Sequence, residues 1–390
     1  MTQTRREFIA TTSAATGAAL LSASSLGAFA SRAKKMRLLF LGGTGFLGPH
    51  MISQALASGH DVTIFNRGRT TPRIFADVFE GDRIKWLKGD RYDDISALNE
   101  GEWDSVIDTF TYTPGVVRRT VDLLAPRVKQ YIVVSTMSVY GNRAEIDMDE
   151  TAPLATVPDE AVEQIKSHRE VGQHYGGMKA LCEKTAEEGM PGRACSVRPG
   201  LIVGRGDPTH RFTYWPYRVR KGGEVLAPGE PGHYVQFIDA HDCAAFTLRA
   251  AEQNLTGAYN AVSPARHFTI GKLLDASKRV TGSDATFTWV DADFLQQQQV
   301  RFWAHLPAYV PPTLPGYEGF GQASVQKSLK AGLTIRPLDE TIEDTLAWLD
   351  TTPAEFIARL DAGVQPGRGG SGMSAQFEKG VLDAWRNRDG

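Results

Sequence analysis

The chain has almost no cysteine, with only Cys182, Cys195 and Cys243 in 390 residues. Three scattered thiols make neither a disulfide framework nor a zinc site, so buried structural thiols and no metal are expected. Charge of one sign is lacking as well. Lys and Arg number 43 against 45 Asp and Glu, a net charge of −2. That balance argues against nucleic acid or a membrane surface as partner, since both select a basic face. The most continuous small-residue stretch, Ala10 to Leu26, is mostly Ala, Thr, Ser and Gly. It is too weakly apolar for a stable membrane span, which wants about 20 predominantly apolar residues. No internal repeat appears. What remains is 42% hydrophobic and 23% charged, an ordinary globular composition. The length suits one α/β domain with an appended lobe, or two domains.

The N-terminus stands apart from the fold. Thr4-Arg5-Arg6-Glu7-Phe8-Ile9 sets paired arginines before the weakly apolar stretch, and Ala28-Phe29-Ala30 supplies a small-x-small cleavage pattern. The order resembles a twin-arginine signal peptide over residues 1–30. It predicts export of an already folded protein through the twin-arginine machinery, a periplasmic or otherwise exported location, and a tightly held cofactor.

In the mature chain, Met36–Leu41 is a short apolar run ending in glycines, which reads as a buried parallel strand. Helical spacing follows over Phe46–Ser58 and stops at Gly59. Further strands are expected at Asp61–Phe65, Ile84–Leu87, Ser105–Asp108, Tyr131–Ser135 and Ala194–Val203, with helices at Pro114–Leu124 and Tyr175–Glu188. This alternation is that of right-handed βαβ crossovers, hence an α/β fold of Rossmann type with a doubly wound parallel sheet over 36–203. Past residue 204 proline and glycine grow denser. A smaller C-terminal substrate lobe is expected over 204–350, interleaved with the last Rossmann elements and carrying a helix at Thr341–Leu349. A Gly-rich hinge and a terminal helix at about Ser374–Trp385 fill 363–390.

Gly42-Gly43-Thr44-Gly45-Phe46-Leu47-Gly48 follows the first strand and opens the first helix. There, one glycine permits the tight turn, another lets backbone approach a pyrophosphate, and the third lets helix and strand pack closely. Unpaired amides at the helix start then face the phosphates. Gly42, Thr44, Gly45, Phe46, Leu47 and Gly48 are thus candidate dinucleotide contacts. An acidic residue ending the second strand would select the ribose of NAD. It is missing. Asn66-Arg67-Gly68-Arg69 stands there instead, which tilts the choice between NAD and NADP toward NADP. Asp90 is placed either to meet the adenine amino group or to cap a helix.

Tyr175-Gly176-Gly177-Met178-Lys179 puts tyrosine and lysine on one face of a helix start. A lysine there can lower the tyrosine pKa and hold the nicotinamide ribose, and a phenolate can then take a proton as hydride leaves carbon. With the glycine loop about 130 residues upstream, the chain resembles the extended short-chain dehydrogenase/reductases, the NAD-dependent epimerase/dehydratase family, from Met36 to about Leu349. The resemblance implies that Thr136, in Ser135-Thr136-Met137-Ser138-Val139-Tyr140-Gly141, holds the reacting oxygen, completing a triad with Tyr175 and Lys179. It implies that Arg198-Pro199-Gly200 supplies a nicotinamide-contacting turn, with Pro199 at the cofactor, and that Gln236-Phe237-Ile238-Asp239 lines the site. A homodimer also fits the family.

Two features depart from it. The dehydratase branch has an Asp-Glu pair after the Thr; here Met137-Ser138 argues against water elimination. The stretch between Gly141 and Tyr175 is long and holds His168 and His174, read as surface histidines or as a proton relay. In Arg211-Phe212-Thr213-Tyr214-Trp215-Pro216-Tyr217-Arg218, the residues Arg211, Tyr214 and Trp215 are candidate substrate contacts alongside Gln236, with packing between lobes as the competing role. The expectation is an NAD(P)-dependent epimerase or oxidoreductase acting on a secondary alcohol of a small sugar-like substrate. The alternatives are a net NADP-dependent reductase or dehydrogenase and, from another class, a non-catalytic Rossmann protein that binds RNA or regulates a partner.

Overall fold

The computed structural model describes residues 34–364 and 370–388. The signal-like segment 1–30 and the middle of the Gly-rich hinge lie outside them. Seven parallel strands form the central sheet: β1 (Arg37–Leu41), β2 (Asp61–Asn66), β3 (Ile84–Lys88), β4 (Trp103–Asp108), β5 (Val128–Val134), β6 (Ala194–Pro199) and a late strand, Gly257–Ala261. Their order across the sheet is Gly257–Ala261, β6, β5, β4, β1, β2, β3. This is the doubly wound arrangement, and strand order reverses between β1 and β4.

The sheet forms because its strands are apolar on both faces. In β1, Leu38 and Phe40 join one buried cluster with Met51 and Ile52 of the helix Leu47–Ala57. Leu39 and Leu41 join the opposite cluster with Val117 and Val121 of the helix Pro114–Leu124. Two-sided burial explains the continuous rather than alternating hydrophobic runs. All three cysteines are free and buried in these layers, and burial pushes each thiol up to about 12.

The sixth strand ends sooner than its apolar run predicts. β6 stops at Pro199, and Leu201–Val203 forms a separate strand, β7, paired with Phe237–Asp239 outside the main sheet. At Gly200, between the two strands, the missing side chain lets the backbone pack closely on Val262, which a Cβ would press into. Beyond it lies a second core around the helices Tyr214–Arg220, Ile270–Thr281 and Leu338–Leu349. The terminal helix Ala375–Arg386 packs on this core through Val381 and Leu382, and its Glu378 pairs with Arg218 at 2.5 Å. In between, the helix Ala240–Glu252 and strand Gly257–Ala261 return to the main sheet, so the lobe is interleaved in sequence with the Rossmann elements.

Candidate active site

Doubly wound sheets bind ligands beyond the strand C-termini where the order reverses. A long cleft lies there, walled by Gly42 to Gly48, Asn66, Arg67, Arg69, Asp90, Thr109, Tyr112, Tyr175, Lys179 and Pro199. The three glycine roles separate cleanly. Gly42 has φ +94°, which only glycine adopts readily. A Cβ at Gly48 would collide with the backbone of Gly43, so that glycine serves helix–loop packing. At Gly45 an added Cβ would meet nothing, leaving bare backbone open to the cleft. The helix Leu47–Ala57 starts on the same wall with no acidic residue in its first turn and no side-chain cap. Its free amides and the open cradle at Gly45 fit a dinucleotide pyrophosphate.

At the far end of the cleft, Asn66 braces two loops. Its Oδ1 accepts from Gly68 N at 2.8 Å, and its amide reaches Thr44 Oγ1 at 3.4 Å. Arg67 is drawn toward Asp90, 3.9 Å away. The capping role for Asp90 is corrected: a turn follows it, and its Oδ1 accepts from Tyr92 N at 3.0 Å.

A second, largely apolar cavity opens on the lobe side, lined among others by Thr136, Met137, Arg143, Asp207, Arg211, Gln236, Trp303 and Phe320. Phe46, Ser135, Tyr175, Pro199 and Ile202 line both spaces. Tyr175 is therefore on the wall where cleft and cavity meet. Glycines bring it there. A Cβ at Gly176 would strike the Ser138 carbonyl, and one at Gly177 would strike Val157 and the Thr156 backbone. Without side chains at those two positions, the helix Tyr175–Gly189 presses onto the turn after β5, and the Tyr175 phenol comes near enough to the Thr136 side chain to be influenced by it. Thr136 Oγ1 also accepts from Ser138 N at 3.1 Å.

Burial holds the Tyr175 phenol above its ordinary value, with the neighbouring Tyr112 adding to the rise; the Thr136 side chain and the Arg211 charge pull it down. Of the charged groups, Arg211 is the one that lowers the phenol. Lys179 Nζ instead donates to Thr111 Oγ1 and to the Val134 carbonyl, the latter at 2.7 Å, and lies 5.4 Å above the Tyr112 ring. Below the turn, Glu183 accepts from Ser135 and pairs with Arg198 at 2.7 Å, and Arg198 donates to Tyr140 Oη at 3.0 Å. Arg198 is buried in this network, while Pro199 faces both spaces.

Two substrate candidates are corrected. Trp215 is fully buried with its indole donating to the Pro307 carbonyl at 2.6 Å, and Tyr214 is buried against it. Both belong to the lobe core and line neither space. Arg211 and Gln236 do line the cavity, but the Gln236 amide is spent on Ser263 O, Ala323 O and Ala323 N. It fixes the 322–324 segment. His168 packs against Phe110 and Tyr112 on the cleft wall, whereas His174 lies outside both spaces. Sequence reasoning missed Asp207, Thr209, Trp303, Arg143 and Tyr112. The one local signal was Asp207-Pro208-Thr209, a side-chain-closed turn just after β7.

A doubly wound sheet whose glycine loop, helix start and Tyr–Lys helix meet in one cleft defines the dinucleotide-binding Rossmann class. Within it, the profile of the NAD dependent epimerase/dehydratase family matches residues 38–263, and the chain belongs to that family. It is 25% identical to the epimerase family protein SDR39U1 of Homo sapiens over 241 residues, covering 59% of this chain and 75% of that protein. It is 32% identical to the chloroplast stem-loop binding protein of 41 kDa b of Arabidopsis thaliana over 124 residues, 29% of this chain and 32% of that one. In fold it is similar to the UDP-glucuronic acid 4-epimerase of Bacillus cereus in complex with NAD, with a TM-score of 0.58, 16% identity, and coverage of 81% of this chain and 99% of that one.

Proposed function

We propose that this protein oxidises or epimerises a secondary alcohol of a sugar-like substrate with a nicotinamide dinucleotide, using Tyr175 as the proton-transfer group. One observation carries the reading: Tyr175 lines both the dinucleotide cleft and the lobe cavity, with Thr136 beside it on the cavity wall. A substrate in the cavity and a cofactor in the cleft can meet only at that wall. Thr136 would hold the reacting hydroxyl, and Tyr175 would take its proton while the carbon gives up hydride, leaving a ketone. Bound NAD supplies the hydride acceptor at nicotinamide C4. Return of hydride to the other face gives epimerisation; release of the ketone gives net oxidation. Lys179, at the floor of the cleft, would contact the nicotinamide ribose. Arg69, the arginine not drawn to Asp90, would carry any preference for NADP.

Tyr175→Phe removes only the hydroxyl. Turnover should fall about 10²- to 10⁴-fold, with thermal unfolding and nucleotide content unchanged; full activity in the variant would sink the mechanism. We also propose that residues 1–30 export the folded protein with its cofactor trapped. Protein purified from the periplasm and denatured should then release stoichiometric NAD or NADP by mass. A redox-neutral epimerase cycle suits such a setting. The stem-loop binding relative supports a second reading, RNA binding, which steeply salt-dependent association with a hairpin RNA would support.

A further inference from the structure

Among the described residues the two buried arginines each hold a carboxylate, Arg91 that of Asp108 and Arg198 that of Glu183, and the half-buried Arg218 holds Glu378. The cavity wall breaks the pattern. Arg211 donates through Nε to Thr209 Oγ1 at 3.1 Å and rests 5.8 Å from the Trp303 ring. Among the described residues its terminal nitrogens have no carboxylate within ion-pair reach. Two residues before Thr209 lies Asp207, fully buried and lining the same cavity. Its Oδ1 accepts from the Thr209 amide at 2.8 Å and the Thr209 hydroxyl at 2.6 Å, while Oδ2 has no partner among the described residues.

Thr209 thus holds an acid and a base side by side without letting them pair. An unpartnered buried carboxylate oxygen is costly, as is a desolvated cation with no anion. Both are relieved together by a ligand that brings an anion and a hydroxyl. Burial raises the Asp207 carboxyl, and a hydroxyl can serve either protonation state, as donor or acceptor. A diphosphate suits the site poorly, because Asp207 repels a second negative charge beside Arg211.

We propose that the substrate is a polyhydroxylated acid whose carboxylate lies on Arg211 and whose neighbouring hydroxyl meets Asp207, with the reacting alcohol at Tyr175 and Thr136. This rests on the hydride-transfer reading above. The test uses the full-length protein loaded with NAD. D-Galacturonate, D-glucuronate and D-gluconate are compared with D-galactose, galacturonate methyl ester and UDP-glucose. Absorbance at 340 nm reads hydride transfer, and calorimetry reads binding. At least one of the three acids should exceed galactose and the ester by about 10- to 100-fold in kcat/KM and affinity, the value of one charged hydrogen-bonded contact. In Arg211→Met that ratio should fall to about one, with the melting temperature held. A ratio near one in the wild type, a ratio unmoved in Arg211→Met, or preference for UDP-glucose overturns the proposal. If UDP-glucose or galactose is used and Tyr175→Phe abolishes that use, the hydride-transfer reading stands while the acid substrate falls.

Discussion

Two acid–arginine neighbourhoods lie at the mouths of this sheet, and they are built oppositely. At the end of β4, Asp108 is completely buried and completely used. It accepts from Arg91 at 2.5 Å, Tyr131 Oη at 2.6 Å and Phe110 N at 3.0 Å, while Arg91 also donates to Phe110 O and Thr120 Oγ1. Beyond β7, Asp207 is equally buried, yet it shares Thr209 with Arg211 instead of pairing with it. The first arrangement ties the loop starts after β3 and β4 to β5 and the helix Pro114–Leu124 at the cleft floor. The second leaves polar capacity unspent beside Tyr175. A carboxylate with both oxygens filled holds structure, and one with an open oxygen at a cavity wall is shaped for something not in the chain.

Removing one acid from each neighbourhood sharpens this contrast. Asp108→Ala leaves Arg91 buried without its anion and should cost about 3–5 kcal/mol of unfolding free energy. Asp207→Asn keeps the Oδ1 acceptor for Thr209 and removes a buried charge, so chemical denaturation should register less than about 1 kcal/mol of loss, or a gain. Comparable losses in the two would break the distinction. The glycine loop offers a smaller version of the same comparison. Gly48→Ala drives a Cβ into the Gly43 backbone and should destabilise by about 1–3 kcal/mol. Gly45→Ala meets nothing in the protein and should leave stability within about 0.5 kcal/mol, yet weaken NAD binding measured by calorimetry, because its methyl group stands where the phosphates would approach.

The same contrast explains what could be read from the sequence. The glycine loop and the Tyr175–Lys179 helix are contiguous, and each residue answers a local demand: a positive φ, a close backbone approach, one helical face. Those demands leave short-range patterns. The strands were legible through two-sided burial, though Gly257–Ala261 (GAYNA) is too weakly apolar and short to announce a seventh. The cavity assembles Arg143, Asp207, Arg211, Trp303 and Phe320 from distant segments, and no spacing records that. Tyr214 and Trp215 misled because an aromatic cluster looks alike whether it stacks on a ligand or fills a core. Only burial and the Trp215 bond to Pro307 separate the two.

Lys179 joins the two regions, since it belongs to the cleft yet is only 3% exposed. Burial pushes its ammonium from 10.5 down to about 8, against the opposing pull of Cys182, Asp108 and Glu183. Because the folded value lies below the unfolded one, the unfolded chain binds more protons between pH 8 and 10.5. Stability contributed at this position therefore rises with pH across that window, and below it the charged lysine opposes folding. Lys179→Met removes the group. Denaturant unfolding of both proteins from pH 7 to 10 should show the wild type gaining on the variant as pH rises, by on the order of 1 kcal/mol. Parallel curves would mean that the donations to Thr111 and Val134 O fully compensate the buried charge, placing Lys179 with the fully satisfied carboxylate of Asp108. A convergent pair of curves would place it with Asp207 and Arg211, as a charge kept at a cost to stability for the chemistry at Tyr175.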